Sequence, residues 1–352
     1  LVQLSLSEAQ AYLSAYEDAL CIAGENSPDA TILSGRPAAL DAVIEKLRAQ
    51  GRFAARIDVN IAAHSPQMDP LLEPLRAALQ GLRPRSGRVP MWSTSARGFV
   101  PGESLDGAWV AQNLRCPVYF REGIEALQGQ GIELFVEVNA HPIVLRSILQ
   151  TLQAAGSSAF ACGTLQRDQA EQGAVLSTLA QLWLRGASLD TPPTVPLTTD
   201  EPEVESAQLV VLSAQSEAAL AAQRQRLLAY LRRPVRPALA DLAYSLATTR
   251  SPLRHRTALV ARSFPELEAA LAAAPDPDSG GPTALGDTST SKLAFLFTGQ
   301  GAQIAGMGQG LHRAFPAFAE AFERALHLFE RGRPGFLRRV MWAQAGQADA
   351  AL

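Results

Sequence analysis

The sequence predicts an α/β protein built from more than one unit, on three observations. Short runs that alternate like strands trade places with longer runs of helical spacing along the whole chain. Within the first 62 residues these runs fall in the order β-α-β-β-α-β, that of a ferredoxin-like split βαβ unit. Two breaker-rich stretches, 191–206 and 275–292, divide the 352 residues into pieces long enough to bury cores of their own.

In chain order, 2–6 reads as a strand and 8–16 as a helix with Ser7 as N-cap. Two strands, at 20–23 and 31–33, flank a turn through Pro28 and Asp29. A helix over 37–49 puts Leu40, Val43, Ile44 and Leu47 on one face, and 53–59 is a last strand running into Ile61, Ala62, Ala63 and His64. Residues 63–190 read as mixed α/β: a helix at 69–79, an extended stretch at 89–93, a strand at 133–138 apolar enough for burial on both faces, then helices at 143–152 and 176–184. Beyond the first linker, 207–274 reads as strand 208–213, helices 217–231 and 238–248, strand 256–261 and helix 265–273. The last piece, 293–352, opens with strand 293–297, a Gly-rich loop from Thr298 to Gln303, and helices near 310–312 and 315–329.

Composition narrows the function. Thirty-one basic and 34 acidic residues leave a formal charge of −3, which offers no footprint for nucleic acid or an anionic membrane. No apolar run approaches the roughly 20 residues a membrane span requires. The three cysteines, Cys21, Cys116 and Cys162, read as reduced thiols of a cytoplasmic protein. No metal site is expected, because no Cys-x-x-Cys pair occurs and the five histidines never take ligand spacing. The opening Leu1-Val2-Gln3 carries no secretory signal and reads as the start of a piece from a longer protein.

Three places could carry chemistry. His64 closes a predicted strand among small residues, where an imidazole could take a proton from a hydroxyl; on residue chemistry alone an ordinary hydrogen-bonded histidine at the surface or core edge is favoured over that role. In Thr298-Gly299-Gln300-Gly301 the flanking glycines would let the Gln300 N–H approach a ligand closely, as in an oxyanion hole, or simply make a tight turn. A phosphate-loop reading fails, since no Lys-Ser/Thr follows at the required spacing. His141, in Asn139-Ala140-His141-Pro142, suits a fixed turn. The other three histidines read as surface residues.

Taken together these segments resemble the acyltransferase domains of modular polyketide synthases. The stretch from Phe295 to Gln303 with Gly306-Met307-Gly308 is similar to that family's opening strand and loop. Asn26-Ser27-Pro28 through Ser34-Gly35, then Ala63-His64-Ser65-Pro66-Gln67, resembles its ferredoxin-like subdomain and catalytic histidine, while Asn113-Leu114-Arg115 with Pro117 and Glu137 to Pro142 resemble its C-terminal landmarks. Residues 207–274 resemble the adaptor that joins a ketosynthase to an acyltransferase. The order is the departure: residues 1–190 are similar to a C-terminal portion and 293–352 to an N-terminal one. The simplest account is a partial α/β-hydrolase-like acyltransferase core with its ferredoxin-like subdomain, a small α/β adaptor, and the start of a second acyltransferase.

The resemblance implies acyl transfer from acyl-CoA to the phosphopantetheine thiol of an acyl carrier protein, with neighbouring ketosynthase domains as further partners and no bound cofactor. It assigns His64 as general base, the Gln300 N–H as oxyanion donor in the second domain, and Asn139 as a supporting residue. The base and the oxyanion donor, coming from different domains, need not share a site. The nucleophile elbow is missing: no Gly-x-Ser-x-Gly occurs anywhere in the chain. Ile61-Ala62-Ala63-His64 matches neither the His-Ala-Phe-His of malonyl-selective relatives nor the Tyr-Ala-Ser-His of methylmalonyl-selective ones. The small side chain at Ala63 points to a starter or branched acyl unit. A non-catalytic scaffold is the alternative, and a half-built core in 1–190 would leave apolar surface exposed.

Overall fold

The computed structural model describes residues 1–16, 19–57, 59, 61–187, 206–273, 283–285, 291–299, 301–330 and 334–343. Nearly all of the first predicted linker and most of the second therefore lie outside the described residues, although 283–285 of the second form a strand. The chain forms two compact units, with Leu1–Phe135, Ile143–Ala161 and Thr298–Gly301 in the first, and Val136–Pro142, Cys162–Phe297 and the chain from Ala302 in the second.

In the first unit, helix α1 (Leu6–Leu13) starts earlier than predicted because Ser5, not Ser7, is its cap. The Ser5 Oγ accepts from the Glu8 N–H at 3.3 Å and the Ser5 N–H donates to the Glu8 carboxylate at 2.9 Å, closing a capping box. Drawing Leu6 into the helix leaves too little chain for the strand expected at 2–6. Val2 instead makes single antiparallel bridges to Thr31 and to Ala54. Among the described residues the strand expected over 53–59 is likewise reduced to the Ala54 bridge, and Phe53, Ile57 and Val59 are exposed.

Strands β1 (Leu20–Ser27) and β2 (Ala30–Gly35) form an antiparallel hairpin whose turn is tied by Ser27 Oγ donating to Asp29 at 2.8 Å. Helix α2 (Pro37–Ala49) begins on a proline and buries Val43 and Leu47. With Val2, Leu4, Ala9, Leu20 and Leu33 they form one core cluster. Helix α3 (Asp69–Ala78) follows a short 3-10 turn at Pro66–Met68. The predicted extended stretch becomes half of a hairpin, β3 (Met91–Ser93) with β4 (Gly98–Val100).

Three elements the sequence reading missed come next: α4 (Gly107–Arg115), capped by Asp106; the two-residue strand β5 (Val118–Tyr119); and α5 (Phe120–Gly129). Strand β5 runs parallel to β1 with Gly24 opposite Val118. A Cβ at Gly24 would sit 2.9 Å from the Val118 carbonyl oxygen, so glycine is what lets these two strands meet. Strand β6 (Ile132–Val138) buries Leu134, Phe135, Val136 and Glu137 in succession, as its composition predicts, and α6 (Leu145–Ala154) follows.

The second unit takes up the end of β6 and of β7 (Phe160–Gly163), then α7 (Glu171–Leu184). Strand β8 (Gln208–Ala214), helices α8 (Glu217–Leu231) and α9 (Leu239–Thr248), strand β9 (His255–Ala261) and helix α10 (Phe264–Ala272) fall within a residue or two of their predicted bounds. A short strand, β10 (Thr283–Leu285), completes a sheet of order β10-β9-β8, and β11 (Lys292–Phe297) joins β6 and β7 in a sheet of order β11-β6-β7. Helices α11 (Gln309–Ala314), α12 (Pro316–Phe329) and α13 (Phe336–Met341) end the described chain.

The period of two along β8 builds two cores. Val210, Leu212 and Ala214 meet Leu220, Leu227, Leu231 and Leu267 of α8 and α10. The intervening Leu209 and Val211 meet Leu176, Ala180, Trp183 and Leu184 of α7. Arg256 seals the second face: one of its terminal nitrogens donates to the Trp183 carbonyl at 2.6 Å, and its guanidinium lies 4.9 Å from the centre of the indole ring. The Glu171 carboxylate accepts from the N–H groups of Gly308 (2.6 Å) and Leu311 (3.0 Å), tying the Gly-rich turn before α11 to α7.

Leu267 is fully buried in the first of these cores. Leu267→Ala is expected to destabilise the second unit by about 2–5 kcal/mol in urea unfolding followed by tryptophan fluorescence. A loss under about 0.5 kcal/mol would contradict the packing described.

Candidate functional site

The site is built around His64, which follows the irregular segment after Ala54 and precedes the 3-10 turn. Its φ of 60° lies in the left-handed region, which costs an L-residue roughly 1–2 kcal/mol and is held only where neighbours enforce it. Three ties do so in the first unit. The His64 N–H donates to the Leu114 carbonyl at 2.9 Å. The His64 carbonyl lies 3.8 Å from the Cys21 thiol, whose one hydrogen it shares with the Ser34 carbonyl 3.5 Å away. The ring Nδ1 lies 2.7 Å from the Cys116 carbonyl oxygen.

That last contact decides the tautomer. A carbonyl only accepts, so the contact needs the hydrogen on Nδ1, and in the neutral ring Nε2 is then the nitrogen with the lone pair. The imidazole is thereby oriented by backbone, with its basic nitrogen on the opposite edge. The elements responsible are α4, whose C-terminal turn presents the Leu114 and Cys116 carbonyls, and β1, which brings up Cys21 and pairs with β5 immediately beyond Pro117. Arg115 Nε donates to Asp69 at 2.5 Å, joining the end of α4 to the start of α3. No side-chain pattern marks a backbone carbonyl, so the role of Cys116 was hidden, although Asn113-Leu114-Arg115 with Pro117 flagged the segment.

Ile61, Ala62 and Ala63 lead into His64 partly exposed, and the Ala62 carbonyl accepts from the Ser65 hydroxyl at 2.6 Å. Asn139, the expected supporting residue, has its carbonyl engaged by the Thr164 hydroxyl at 3.1 Å, and its N–H meets the same oxygen at 3.1 Å. His141 Nδ1 accepts from the Arg167 N–H at 3.3 Å, and Pro142 packs so closely on Gly163 that a Cβ there would lie 2.5 Å from the proline ring. The 137–142 segment is thus a turn clamped by 163–167, and the carbonyl that orients His64 comes from Cys116.

Gln300 lies outside the described residues. Thr298, Gly299 and Gly301 fall in the first unit, the unit that holds His64, although β11 leading to them belongs to the second. Gly301 has a φ of 119°, a conformation open to glycine alone among common residues, so the loop needs it. Among the described residues no cluster of His, Cys, Asp and Glu could hold a metal ion. No described helix is long and apolar enough to cross a membrane.

Burial pushes the Cys162 thiol up to about 11 and raises that of Cys21 as well, keeping both protonated. Glu25, buried on β1, is also raised by desolvation, opposed by the Arg121 guanidinium 3.3 Å away; it fixes α5 to β1.

Comparison with known proteins bears on the same segments. Residues 2–188, more than half of the chain, match the family described as acyl transferase domain, and residues 208–271 match one described as CurL-like, PKS C-terminal. The spectinabilin polyketide synthase system protein NorA' of Streptomyces orinoci is 34% identical over 54% of the chain and 5% of its own length. The pikromycin polyketide synthase component PikAIII of Streptomyces venezuelae is 33% identical over 56% of the chain and 12% of its own. Among solved structures, the acyltransferase domain from module 8 of the salinomycin polyketide synthase is 34% identical with a TM-score of 0.52, covering 54% of this chain and 45% of that one. The chain therefore spans under half of that domain and a small part of the synthases it matches.

The buried thiol makes stability pH-dependent in a definite direction. Cys162 keeps its proton to about 11 when folded but loses it near 9.0, its ordinary value, when unfolded. Its contribution is complete below about pH 9 and is lost as pH rises through 11. Urea midpoints measured from pH 8 to 11 should fall, and Cys162→Ala should flatten that fall; an unchanged slope in the variant would refute the assignment.

Proposed function

The chain belongs to the acyl transferase domain family, and from that premise we propose that it supplies the general base, but not the nucleophile, of an acyl-CoA to acyl carrier protein transfer in a modular polyketide synthase. The observation that carries this reading is the His64 imidazole, held at Nδ1 by the Cys116 carbonyl 2.7 Å away, which leaves Nε2 on the opposite edge of the ring.

In the proposed reaction Nε2 takes the hydroxyl proton of a serine supplied from outside these 352 residues as the serine oxygen attacks the thioester carbonyl. The carbonyl becomes a tetrahedral oxyanion stabilised by backbone N–H groups, a role the Gln300 N–H would take in the second acyltransferase. As the C–S bond breaks, the imidazolium returns its proton to the CoA sulfur. The phosphopantetheine thiol of the carrier protein then gives its proton to Nε2, attacks the acyl ester, and the serine leaves with that proton. No bound cofactor takes part in this scheme.

On this reading 1–62 is the ferredoxin-like subdomain, 63–190 the C-terminal part of a first acyltransferase core, 207–274 a ketosynthase-to-acyltransferase adaptor and 293–352 the start of a second acyltransferase, all in a cytoplasmic assembly. The bridges of Val2 to Thr31 and Ala54 support the first assignment, since they place four segments in the order of a ferredoxin-like sheet. Ile61, Ala62 and Ala63 would line the acyl end, with the small Ala63 admitting a starter or branched unit. The missing serine keeps a second reading in play, a scaffold segment that only positions neighbouring domains.

Intact mass after incubation with a panel of acyl-CoAs tests the assignment. The chain alone should gain no adduct, and the chain completed by a serine-bearing segment should gain an acyl adduct labile to hydroxylamine, with branched or starter acyl groups favoured over malonyl. A hydroxylamine-labile adduct on the chain alone, lost in His64→Ala, would overturn the assignment of the nucleophile to another segment.

A further inference from the structure

We infer that Ser65 is a positioning residue for the His64 base, its buried hydroxyl closing the loop that holds the imidazole in its working tautomer; the inference rests on the base role proposed for His64. Ser65 is 1% exposed, and both hydrogen bonds of its hydroxyl are internal. It donates to the Ala62 carbonyl at 2.6 Å and accepts from the Gln67 N–H at 3.2 Å.

The second of these bonds is an ordinary cap on the 3-10 turn at Pro66–Met68. The first has no place in a cap. It runs backwards across His64 and joins the residue two before the base to the turn just after it. The hydroxyl is thus a staple over a loop with the left-handed residue at its centre.

Each side of the loop is anchored. Ser65 itself is extended (φ −135°, ψ 165°), Pro66 fixes the start of the turn, and the Met68 N–H donates back to the Ser65 carbonyl at 3.1 Å with Met68 buried. With both ends fixed, His64 is kept at a φ of 60°, where its N–H reaches Leu114 and its Nδ1 reaches Cys116. An L-residue released from such a loop returns to negative φ, and both contacts break together. Removing the hydroxyl would also strand the Ala62 carbonyl and the Gln67 N–H. The three ties to His64 itself run to backbone or to a weak thiol donor, so among the described contacts Ser65 is the side chain whose polar group can set the loop.

The test reads the ring, not acyl transfer, and so stands or falls apart from the base role. The full chain labelled with ¹⁵N-histidine is examined by long-range ¹H–¹⁵N NMR at a pH of about 9, above the usual imidazole range, with His64→Ala assigning the His64 signal among the five histidines. The native chain should show the Nδ1–H form. In Ser65→Ala that form should give way to the Nε2–H form or an average of the two. Ser65→Thr and Ser65→Val, of equal shape with and without a hydroxyl, guard against a folding artefact: Thr should keep the native tautomer and Val should lose it. A cooperatively folded Ser65→Ala with the Nδ1–H form intact, or Thr and Val behaving alike, would overturn the inference.

Discussion

The bond from His64 Nδ1 to the Cys116 carbonyl is the constraint around which the first unit is organised. It can form only if the end of α4 lies beside the loop after Ala54, and that depends on how β1 is used. β1 is paired on one edge with β2 and on the other with the two residues of β5, and β5 can approach only because Gly24 has no side chain. Pro117 separates the orienting carbonyl from β5, so the strand pairing fixes the carbonyl to within two residues. The same strand carries Cys21, whose thiol meets the His64 carbonyl. The imidazole proposed as a base is thus oriented by backbone carbonyls at a helix end.

The second unit solves a different problem. β8 and β9 are buried on both faces, and a sheet in that position needs a cover on each. α8 and α10 cover one face, and α7, which lies in the segment matching the acyl transferase family, covers the other. The adaptor-like segment is therefore not an autonomous module here: half of its core is lent by the helix before the first linker. Arg256 under Trp183 and Glu171 at the turn before α11 are the polar fastenings of that arrangement.

Much of this was legible in the sequence where one pattern dominated. Helix α8 is read end to end, and in the structure the Ser216 side chain caps it by accepting from the Ala219 N–H. β6 is read because its short run of Leu134, Phe135, Val136 and Val138 is apolar on both faces. The resemblance located His64 and the Gly-rich loop, and the family match covers the segment that holds His64. What escaped was fixed by long-range contact. β5 is two residues long and exists through β1; α4 and α5 carry glycines at 107, 123 and 129 that weaken a local helix signal. At the amino terminus the cap is Ser5 rather than the expected Ser7, because Glu8 three residues on closes a capping box with it. The left-handed φ of His64 and the carbonyl partner of its ring leave no trace in residue types, and α7 as the cover of the β8 sheet could not be read from either segment alone.

The account centres on His64 as the base that activates a serine. Its most direct test is the rate of acyl-enzyme formation from an acyl-CoA in the chain joined to a serine-bearing segment, compared with His64→Ala in the same context. Loss of a general base predicts a rate lower by about 10²–10⁴-fold with the fold intact. An unchanged rate in the folded variant would contradict the account and leave the scaffold reading in its place.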